Sequence, residues 1–379
     1  MISLRRTNAS VIGRWWWTVD RWQLATIALL IGIGAVLTLA ASPSVAARVG
    51  LPSFHFVQRH FIMLIPALAV MFLTSLMGSR GVRRTAFGVF GVALILTVAT
   101  PFLANEVKGA HRWLYVGGFS LQPSEFLKPA LAVLTGWLLA EWRKGEGFPG
   151  HWIAMGLMVT VIGLLLAQPD VGMALLVLTV GFAQFFLAGM PMALVGLCAA
   201  TGVAGLFGAY SIFPHVANRI DRFIDPIGRD TYQIDRAMEA FRTGGLTGRG
   251  PGEGAVKNVL PDAHTDFIFA VAGEEFGLWL CIAIIGVFAF VVLRGFSRLL
   301  VENKLFNLLA AGGLITQFGL QAAINIGVNL RLLPTKGMTL PFISYGGSSL
   351  LALALGVGMI LALTRLRPDL ELRTGRRGP

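Results

Sequence analysis

Charged residues are scarce in this sequence. Only 13% of its 379 residues are Asp, Glu, Lys or Arg, whereas 55% are hydrophobic. A soluble domain carries roughly 25% charged residues. The apolar residues form continuous runs instead of the alternating pattern of a transmembrane barrel strand. The composition therefore excludes a soluble globular domain and predicts a helical, polytopic membrane protein.

Cysteine and recognisable metal motifs are also scarce. Cys198 and Cys281 are the two cysteines, and both lie in apolar runs. We expect them to be small buried residues and not a disulfide. No His, Cys and Glu cluster has the spacing of a zinc site. Residues 1–21 are polar and basic, which argues against a cleavable signal peptide. The three tryptophans among them, Trp15, Trp16 and Trp17, are expected to form an interfacial belt.

Ten apolar stretches have about the ~20 residues that a bilayer requires. We predict spans at about 22–41, 58–77, 83–102, 122–141, 151–167, 171–189, 191–213, 266–293, 305–329 and 341–364. The predicted organisation is an N-terminal segment (1–21), helices 1–7 (22–213), a large loop (214–265), helices 8–10 (266–364) and a basic tail (365–379). The predicted fold class is thus an all-α polytopic membrane protein.

Basic residues are distributed unevenly between the two sides of these spans. If the N-terminus is cytoplasmic, seventeen Lys and Arg lie in inside segments, against six in the short outside loops: Arg48, Arg59, Lys108, Arg112, Arg331 and Lys336. The positive-inside rule then places both termini in the cytoplasm. The net charge of +12 is therefore explained by the membrane topology, because the basic segments face anionic lipid. Nucleic acid is not expected as a partner.

The loop at 214–265 holds seven basic and seven acidic residues and is predicted to be extracytoplasmic. Within it, Ile234, Met238 and Phe241 share one helical face, which predicts a short helix lying on the membrane surface. Residues 244–254 are dense in glycine. Such a run can present backbone N–H groups to phosphate, although it lacks the ending of a Walker loop. A flexible hinge is the alternative.

Five ionisable residues fall within 259–275: Asp262, His264, Asp266, Glu274 and Glu275. Acidic side chains cost free energy at membrane depth, and Asp266 lies where the loop gives way to an apolar run. It is the candidate reactive group, with a helix N-cap as the alternative. Paired glycosidase carboxyls lie about 5–9.5 Å apart, whereas Asp266 and Glu274 would be about 12 Å apart along a helix. A single base at Asp266 fits better, and we expect both glutamates to hold neighbouring segments.

Three further stretches carry polar residues at predicted helix ends. Arg112 beside Trp113 suits a phosphate group. Glu125 and Lys128 have the i,i+3 spacing of an ion pair, which either orients a helix or presents Lys128 to an anionic substrate. Residues 168–172 are expected to form a turn with a capping aspartate. Residues 325–349 mix proline, glycine and hydroxyl side chains, and they either line a water-filled cavity or form a rigid interhelical loop.

Together these motifs closely resemble the SEDS family (shape, elongation, division and sporulation), the FtsW/RodA group of peptidoglycan glycosyltransferases. The resemblance rests on RW at 112–113, QPSE at 122–125 with Lys128, QPDVG at 168–172, the glycine-dense run with Lys257, LPDAHTDFIF at 260–269, GEE at 273–275, PTKG at 334–337 and PFISYGGSS at 341–349. Asp262 departs from the pattern, because the family usually has Glu there. Residues 13–21 are similar to FtsW-type members of alphaproteobacteria, which implies division rather than elongation.

The resemblance implies a ten-helix fold that polymerises lipid II, a disaccharide-pentapeptide carried on undecaprenyl pyrophosphate. Asp266 matches the essential aspartate, with the implied role of general base on the acceptor GlcNAc 4-hydroxyl. That oxygen attacks C1 of the donor MurNAc, and undecaprenyl pyrophosphate leaves with inversion at C1. The implied substrate-binding residues are Arg112, Glu125, Lys128, Lys257, His264, Lys336 and Ser344. A divalent cation (Mg²⁺ or Mn²⁺) at the pyrophosphate is compatible with this chemistry but has no sequence signature.

The resemblance also implies a location and partners. The expected location is the bacterial inner membrane at the division septum, with the active site facing the periplasm. The expected partners are a class B penicillin-binding protein of the FtsI type and other divisome proteins. Two alternatives to the enzyme are a lipid II transporter and a non-catalytic scaffold. Inverted repeats would favour transport, and the hydropathy pattern shows none.

Overall fold

The computed structural model describes residues 10–104, 112–212, 214–225, 231–335 and 337–365. Within them the helices are α1 (Val11–Thr18), α2 (Arg21–Arg48), α3 (His55–Ser75), α4 (Ser79–Leu103), α5 (Pro123–Trp142), α6 (Gly150–Ala167), α7 (Val171–Leu187), α8 (Met192–Ile212), α9 (Pro214–Ile224), α10 (Tyr232–Gly244), α11 (Ile268–Leu299), α12 (Leu305–Asn329) and α13 (Gly347–Leu363). Strands β1 (Leu114–Val116) and β2 (Phe119–Leu121) form an antiparallel hairpin, in which Leu114 pairs with Leu121. A 3₁₀ turn covers Val256–Asn258.

Each of the ten predicted spans coincides with one helix, α2 to α8 and α11 to α13, so the all-α polytopic fold is confirmed. In the described part of the chain, six helices are long and apolar enough to cross a membrane: α2, α3, α4, α6, α11 and α12. Helices α7 and α13 are apolar but have 17 residues each. The predicted break at 168–170 lies between α6 and α7.

Helices α5 and α12 form the buried centre of the bundle. In the most apolar part of α12, 78% of residues are buried, against 17% for the peripheral α3. The two central helices approach closely at Gly136, where a Cβ would lie 2.6 Å from the Ala310 nitrogen. Small residues permit such close helix contacts in membrane proteins. Polar groups within this centre are bonded across helices: the Gln184 amide donates to the Leu309 carbonyl at 3.0 Å.

Helix α11 is broken at Gly277, whose φ of 75° is left-handed. The part after the break, residues 278–299, would be about 33 Å long, which is enough to span a bilayer alone. Residues 244–250 cover the break and bond the backbone groups that it frees. The Gly245 carbonyl accepts from the Leu278 N–H at 3.0 Å, and the Arg249 N–H donates to the Glu274 carbonyl at 3.0 Å. The irregular backbone is thereby satisfied by protein and not exposed to lipid.

Glycines in residues 244–254 make this docking possible. A Cβ on Gly244 would lie 1.9 Å from the Gly273 oxygen, and one on Gly248 would lie 2.2 Å from the Glu275 oxygen. No side chain fits between backbones at that separation. The structure therefore gives the glycine-dense run a packing role, in place of the hinge weighed in the sequence analysis.

The amphipathic helix predicted within the large loop is α10, and its existence is confirmed. Its apolar face packs on the first part of α11, with the Phe241 ring centroid 5.8 Å from that of Phe269. Ile234 and Ala237 on this face are buried, whereas Met238 is half-buried. The expectation that α10 lies on the membrane surface is thus corrected, because protein covers its apolar face.

At the opposite end of the molecule, Asp20 caps α2 and accepts from the Trp22 and Gln23 N–H groups. The same carboxylate pairs with Arg294 at 2.8 Å and Arg298 at 2.5 Å. Burial raises the pKa of Asp20, but hydrogen bonds from Arg298, the Gln23 backbone and Arg294 outweigh it and hold the pKa below its usual value. This cluster ties the start of α2 to the end of α11.

The predicted tryptophan belt is divided by the fold of α1. Trp15 is buried and donates its ring N–H to the Ser75 hydroxyl at 2.9 Å. Trp17 stays exposed, and the Arg21 guanidinium lies over its ring, 4.5 Å from the centroid. Only part of this cluster is therefore exposed.

Candidate active site

Asp266 lies in the turn that precedes α11 and is half-buried. Its carboxylate faces the segment between α12 and α13, where a Cβ on Gly337 would lie 3.3 Å from Asp266 Oδ2. The N-cap position of α11 is Phe267, and no side chain caps the helix there. The structure therefore does not support the N-cap interpretation of Asp266.

Two asparagines of α12 hold the backbone of this turn. The side-chain amides of Asn325 and Asn329 each donate to the Asp266 carbonyl at 2.9 Å. The Asn325 amide also donates to the Met338 carbonyl at 2.5 Å. The sequence analysis missed this role. The sequence signal for it is a pair of asparagines one helical turn apart in an apolar helix, since polar groups at membrane depth are usually bonded.

Ser344 and His264, two predicted substrate-binding residues, lie beside the candidate base but brace its surroundings. The Ser344 hydroxyl donates to the Thr265 carbonyl at 2.6 Å. The His264 carbonyl accepts from the Tyr345 N–H at 2.9 Å, and its ring centroid lies 4.5 Å from that of Phe56. The segment between α12 and α13 is thus bonded to the two residues that precede Asp266. Direct substrate contact by Ser344 or His264 stays a prediction.

Glu125 and Lys128 form the ion pair that their spacing predicted, with 2.8 Å between the two charged groups. The pair is buried in the first turns of α5, which begins at Pro123. The Lys128 ammonium also donates to the Gln321 side chain at 3.3 Å, and Gln321 donates to the Thr339 carbonyl at 3.1 Å. A chain of polar contacts therefore links the pair to the segment that faces Asp266.

Arg112 clamps the turn between α6 and α7. Its guanidinium donates to the Gln168 carbonyl at 2.7 Å and the Pro169 carbonyl at 2.6 Å, and it pairs with Asp170 at 3.2 Å. Asp170 caps α7 by accepting from the Met173 N–H, which confirms the predicted capping turn. The Arg112 side chain keeps 17% exposure. Its contact with an anionic substrate stays a prediction.

Both glutamates of the signature stretch hold neighbouring segments, as predicted. The Glu274 carboxylate accepts from the Val256 and Lys257 N–H groups, at 2.6 and 2.9 Å. Glu275 forms a buried ion pair with the Lys257 ammonium, which also donates to the Gly252 carbonyl at 3.1 Å. Lys257 thus belongs to the contact between the large loop and α11, and a pyrophosphate would have to compete with Glu275 for it.

Four further points of the sequence analysis concern Asp262, Lys336, a metal site and Cys281. Asp262 adopts a left-handed φ of 51°, and its carbonyl accepts from the Thr265 and Phe267 N–H groups. Lys336 lies outside the described residues. In the chain segments that the structure covers, no group of three or more His, Cys, Asp or Glu residues could hold a metal ion. Cys281 is buried and forms no disulfide.

The chain is similar to known proteins over nearly its whole length. The model of the FtsW/RodA/SpoVE family, described as "Cell cycle protein", matches residues 21–368. The probable peptidoglycan glycosyltransferase FtsW of Caulobacter vibrioides is 48% identical over 374 residues, covering 98% of this chain and 96% of that protein. The probable FtsW of Acinetobacter baylyi is 33% identical over 362 residues, covering 91% of this chain and 90% of that protein.

Solved structures share the fold as well. One chain of a peptidoglycan synthase complex, described as coordinating polymerization and crosslinking, superposes with a TM-score of 0.74 at 28% identity and covers 91% of this chain and 97% of its own length. The rod shape determining protein RodA of Thermus thermophilus gives a TM-score of 0.68 at 27% identity, with coverage of 92% and 97%.

Proposed function

This chain belongs to the FtsW/RodA/SpoVE family of cell cycle proteins, and from that membership we propose that it is a peptidoglycan glycosyltransferase that polymerises lipid II. The names of its curated relatives support the glycosyltransferase activity. The match to a chain of a complex that couples polymerization with crosslinking supports it independently. The substrate, the site and the cellular location below are the finer parts of the proposal.

The observation that carries the site assignment is the setting of Asp266. Its backbone is fixed by two buried amides, and its carboxylate is half-buried beside Gly337. A general base must have a fixed position and must also be reachable by substrate. In the proposed reaction, Asp266 takes the proton of the acceptor 4-hydroxyl as the oxygen attacks C1 of the donor. The bond from C1 to the pyrophosphate breaks, and undecaprenyl pyrophosphate leaves.

Cations would stabilise the charge on the leaving pyrophosphate. Arg112 fits this role best, because 17% of its side chain is exposed, against 2% for Lys128 and 7% for Lys257. Lys336 belongs to the proposal by its place in the sequence signature. A divalent cation, Mg²⁺ or Mn²⁺, would arrive with the pyrophosphate and share its charge.

The proposal includes a partner and a location. A class B penicillin-binding protein would crosslink the glycan, which agrees with the match to a synthase complex. The excess of basic residues in the predicted inside segments supports cytoplasmic termini and a periplasmic site. The FtsW names of the relatives support a role at the division septum with other divisome proteins.

The test is glycan synthesis by the full chain in liposomes with purified lipid II and its penicillin-binding partner, with transpeptidation blocked. We expect polymer from the wild type and none from a folded Asp266→Asn variant. Asp262→Asn is the matched control, because Asn also tolerates a left-handed backbone, and it should retain activity. Polymer from Asp266→Asn would move the base elsewhere. Lipid scrambling without polymer from the wild type would favour the transporter.

A further inference from the structure

The Asn329 side chain occupies the place of a missing helix bond at the start of α11. In a continuous helix the Ala270 N–H would donate to the Asp266 carbonyl, four residues earlier. Instead, the Ala270 N–H is shared between the Phe267 carbonyl at 3.0 Å and Asn329 Oδ1 at 3.2 Å, and the Asn329 amide donates to the Asp266 carbonyl at 2.9 Å. One side-chain amide therefore bonds both of the groups that a continuous helix would bond to each other.

The orientation of this amide follows from its partners. With its oxygen towards the Ala270 N–H and its nitrogen towards the Asp266 carbonyl, Asn329 bonds both groups, whereas the opposite placement would bond neither. Asn325, one turn earlier on α12, supplies a second donor to the same carbonyl. Both lone pairs of that oxygen are then used, and Asn325 and Asn329 are each almost completely buried.

The consequence for Asp266 is a fixed non-helical position. A side chain inserted into the ladder of helix bonds stops or bends a helix. Without it, the Asp266 carbonyl loses one of its two donors and can accept from the Ala270 N–H in exchange for the Phe267 carbonyl, which would draw Asp266 into the first turn of α11. Each residue added to a helix turns the chain by about 100°, so the carboxylate would leave its position beside Gly337.

We propose that Asn329, assisted by Asn325, is the positioning residue of Asp266: its amide holds the start of α11 open so that the carboxylate faces the segment between α12 and α13. The inference rests on the proposed function, in which Asp266 is the base. Asn329 does not touch substrate in this account. It acts only through the backbone of Asp266.

The expected effect is on turnover and not on substrate binding. Loss of a residue that orients a catalytic group typically reduces activity about 10- to 100-fold. For Asn329→Ala we expect kcat for glycan synthesis to fall by about this factor, with KM for lipid II nearly unchanged. The acidic limb of the rate–pH profile should also shift, because the carboxylate moves to new surroundings. A merely structural role would lower the amount of folded protein and leave that profile unchanged.

The experiment compares Asn329→Ala with Asn307→Ala, a buried asparagine at the other end of α12. Activity is divided by the folded fraction, measured by size-exclusion chromatography in detergent. Asn329→Ser covers the case in which the alanine variant does not fold. Its hydroxyl can bond a carbonyl of its own helix, yet it is too short to bridge Ala270 and Asp266.

The outcomes separate this inference from the proposed function. A folded Asn329 variant with reduced kcat and a shifted profile, beside a normal Asn307→Ala, supports the positioning role. Wild-type kcat and an unchanged profile in a folded Asn329 variant overturn it, even where Asp266→Asn is inactive. An active Asp266→Asn variant overturns the assigned base and the positioning role together. A wild type that scrambles lipid without making glycan overturns the enzyme itself.

Discussion

Asp266 and Glu275 lie nine residues apart in one acidic stretch, but the fold places them in opposite kinds of environment. Glu275 is almost completely buried, and its charge is matched by the Lys257 ammonium. Asp266 is half-buried, and the side chains that fix it, Asn325 and Asn329, are neutral and bond its carbonyl. The carboxylate of Glu275 faces the large loop, whereas that of Asp266 faces the segment between α12 and α13.

This difference shows how acidic residues close together in the sequence of a membrane protein can serve separate purposes, one structural and one proposed as catalytic. A buried ion pair stabilises a fold only while both partners are present, because an unmatched buried charge is strongly unfavourable. A positioned base needs its backbone fixed by groups that do not neutralise it. Stability and activity should therefore respond to different substitutions within this short stretch.

The largest effect on stability should come from Glu275→Gln. This change leaves the Lys257 ammonium buried without its partner charge, which should cost about 3–5 kcal/mol of unfolding free energy. Removing both charges with Lys257→Met and Glu275→Gln should recover most of the loss. Chemical unfolding in detergent measures both variants, and equal stability of the single and double variants would contradict the pairing.

Gly248→Ala should be the next most damaging change, because it acts on the same contact through the backbone. Gly248 has a φ of 81°, and a Cβ there would lie 2.2 Å from the Glu275 oxygen. We expect a loss of about 3 kcal/mol. Gly252→Ala is the matched control, since its φ of 87° is similar but nothing lies within 4 Å, and it should lose only about 1–2 kcal/mol. Thermal unfolding of the two variants gives the comparison, and similar losses would refute the close backbone contact.

Arg112→Lys should have a smaller effect on stability, and it tests a residue assigned to the candidate site. Lysine keeps the positive charge but cannot reproduce the fork that binds Gln168, Pro169 and Asp170. We expect a loss of about 1–2 kcal/mol in unfolding free energy, while Arg84→Lys, at an exposed position, should change nothing. A rise in KM for lipid II without any loss of stability would instead assign Arg112 to substrate alone.

The smallest effect should be the pH dependence contributed by Asp20, far from the candidate base. Its pKa is held below the usual value of 3.8, so its stabilisation is complete above that value and is lost as pH falls through the lower folded-state pKa. The Arg294 and Arg298 side chains are partly exposed, so the contribution should be about 1 kcal/mol. The Tm difference between wild type and Asp20→Asn should be constant near neutral pH and shrink below about pH 4. A constant difference down to pH 2 would contradict this.

The sequence predicted the parts of this fold that depend on local pattern. Apolar length located the ten helices α2 to α8 and α11 to α13, and i,i+3 spacing predicted the Glu125–Lys128 pair. It did not reveal the break at Gly277, because one glycine in an apolar run does not show that a distant loop will bond the freed backbone. The same limit hid the Lys257–Glu275 pair and the two asparagines, which meet their partners across 18 to 63 residues of sequence.

The position of the candidate site was predicted in a similar way, whereas the bonds around it were not, and the role of Asp266 stays a prediction. Asp266 was singled out because an acid at the start of an apolar run is unusual, and the structure places it at a junction of three segments. Arg112 and Lys128 were predicted to face an anion from their positions at helix ends, and Lys257 from the family resemblance. Each is also bonded within the protein, since a buried cation requires a matching acid that sequence spacing alone does not always identify.

The most direct test of this account measures glycan synthesis per folded molecule and unfolding free energy together, for Asp266→Asn and Glu275→Gln. The account predicts that Asp266→Asn makes no glycan but unfolds like the wild type. It predicts that Glu275→Gln is much less stable, yet its folded fraction makes glycan at a rate close to that of the wild type. Glycan from folded Asp266→Asn, or wild-type stability of Glu275→Gln, would contradict the division of roles between these two acids.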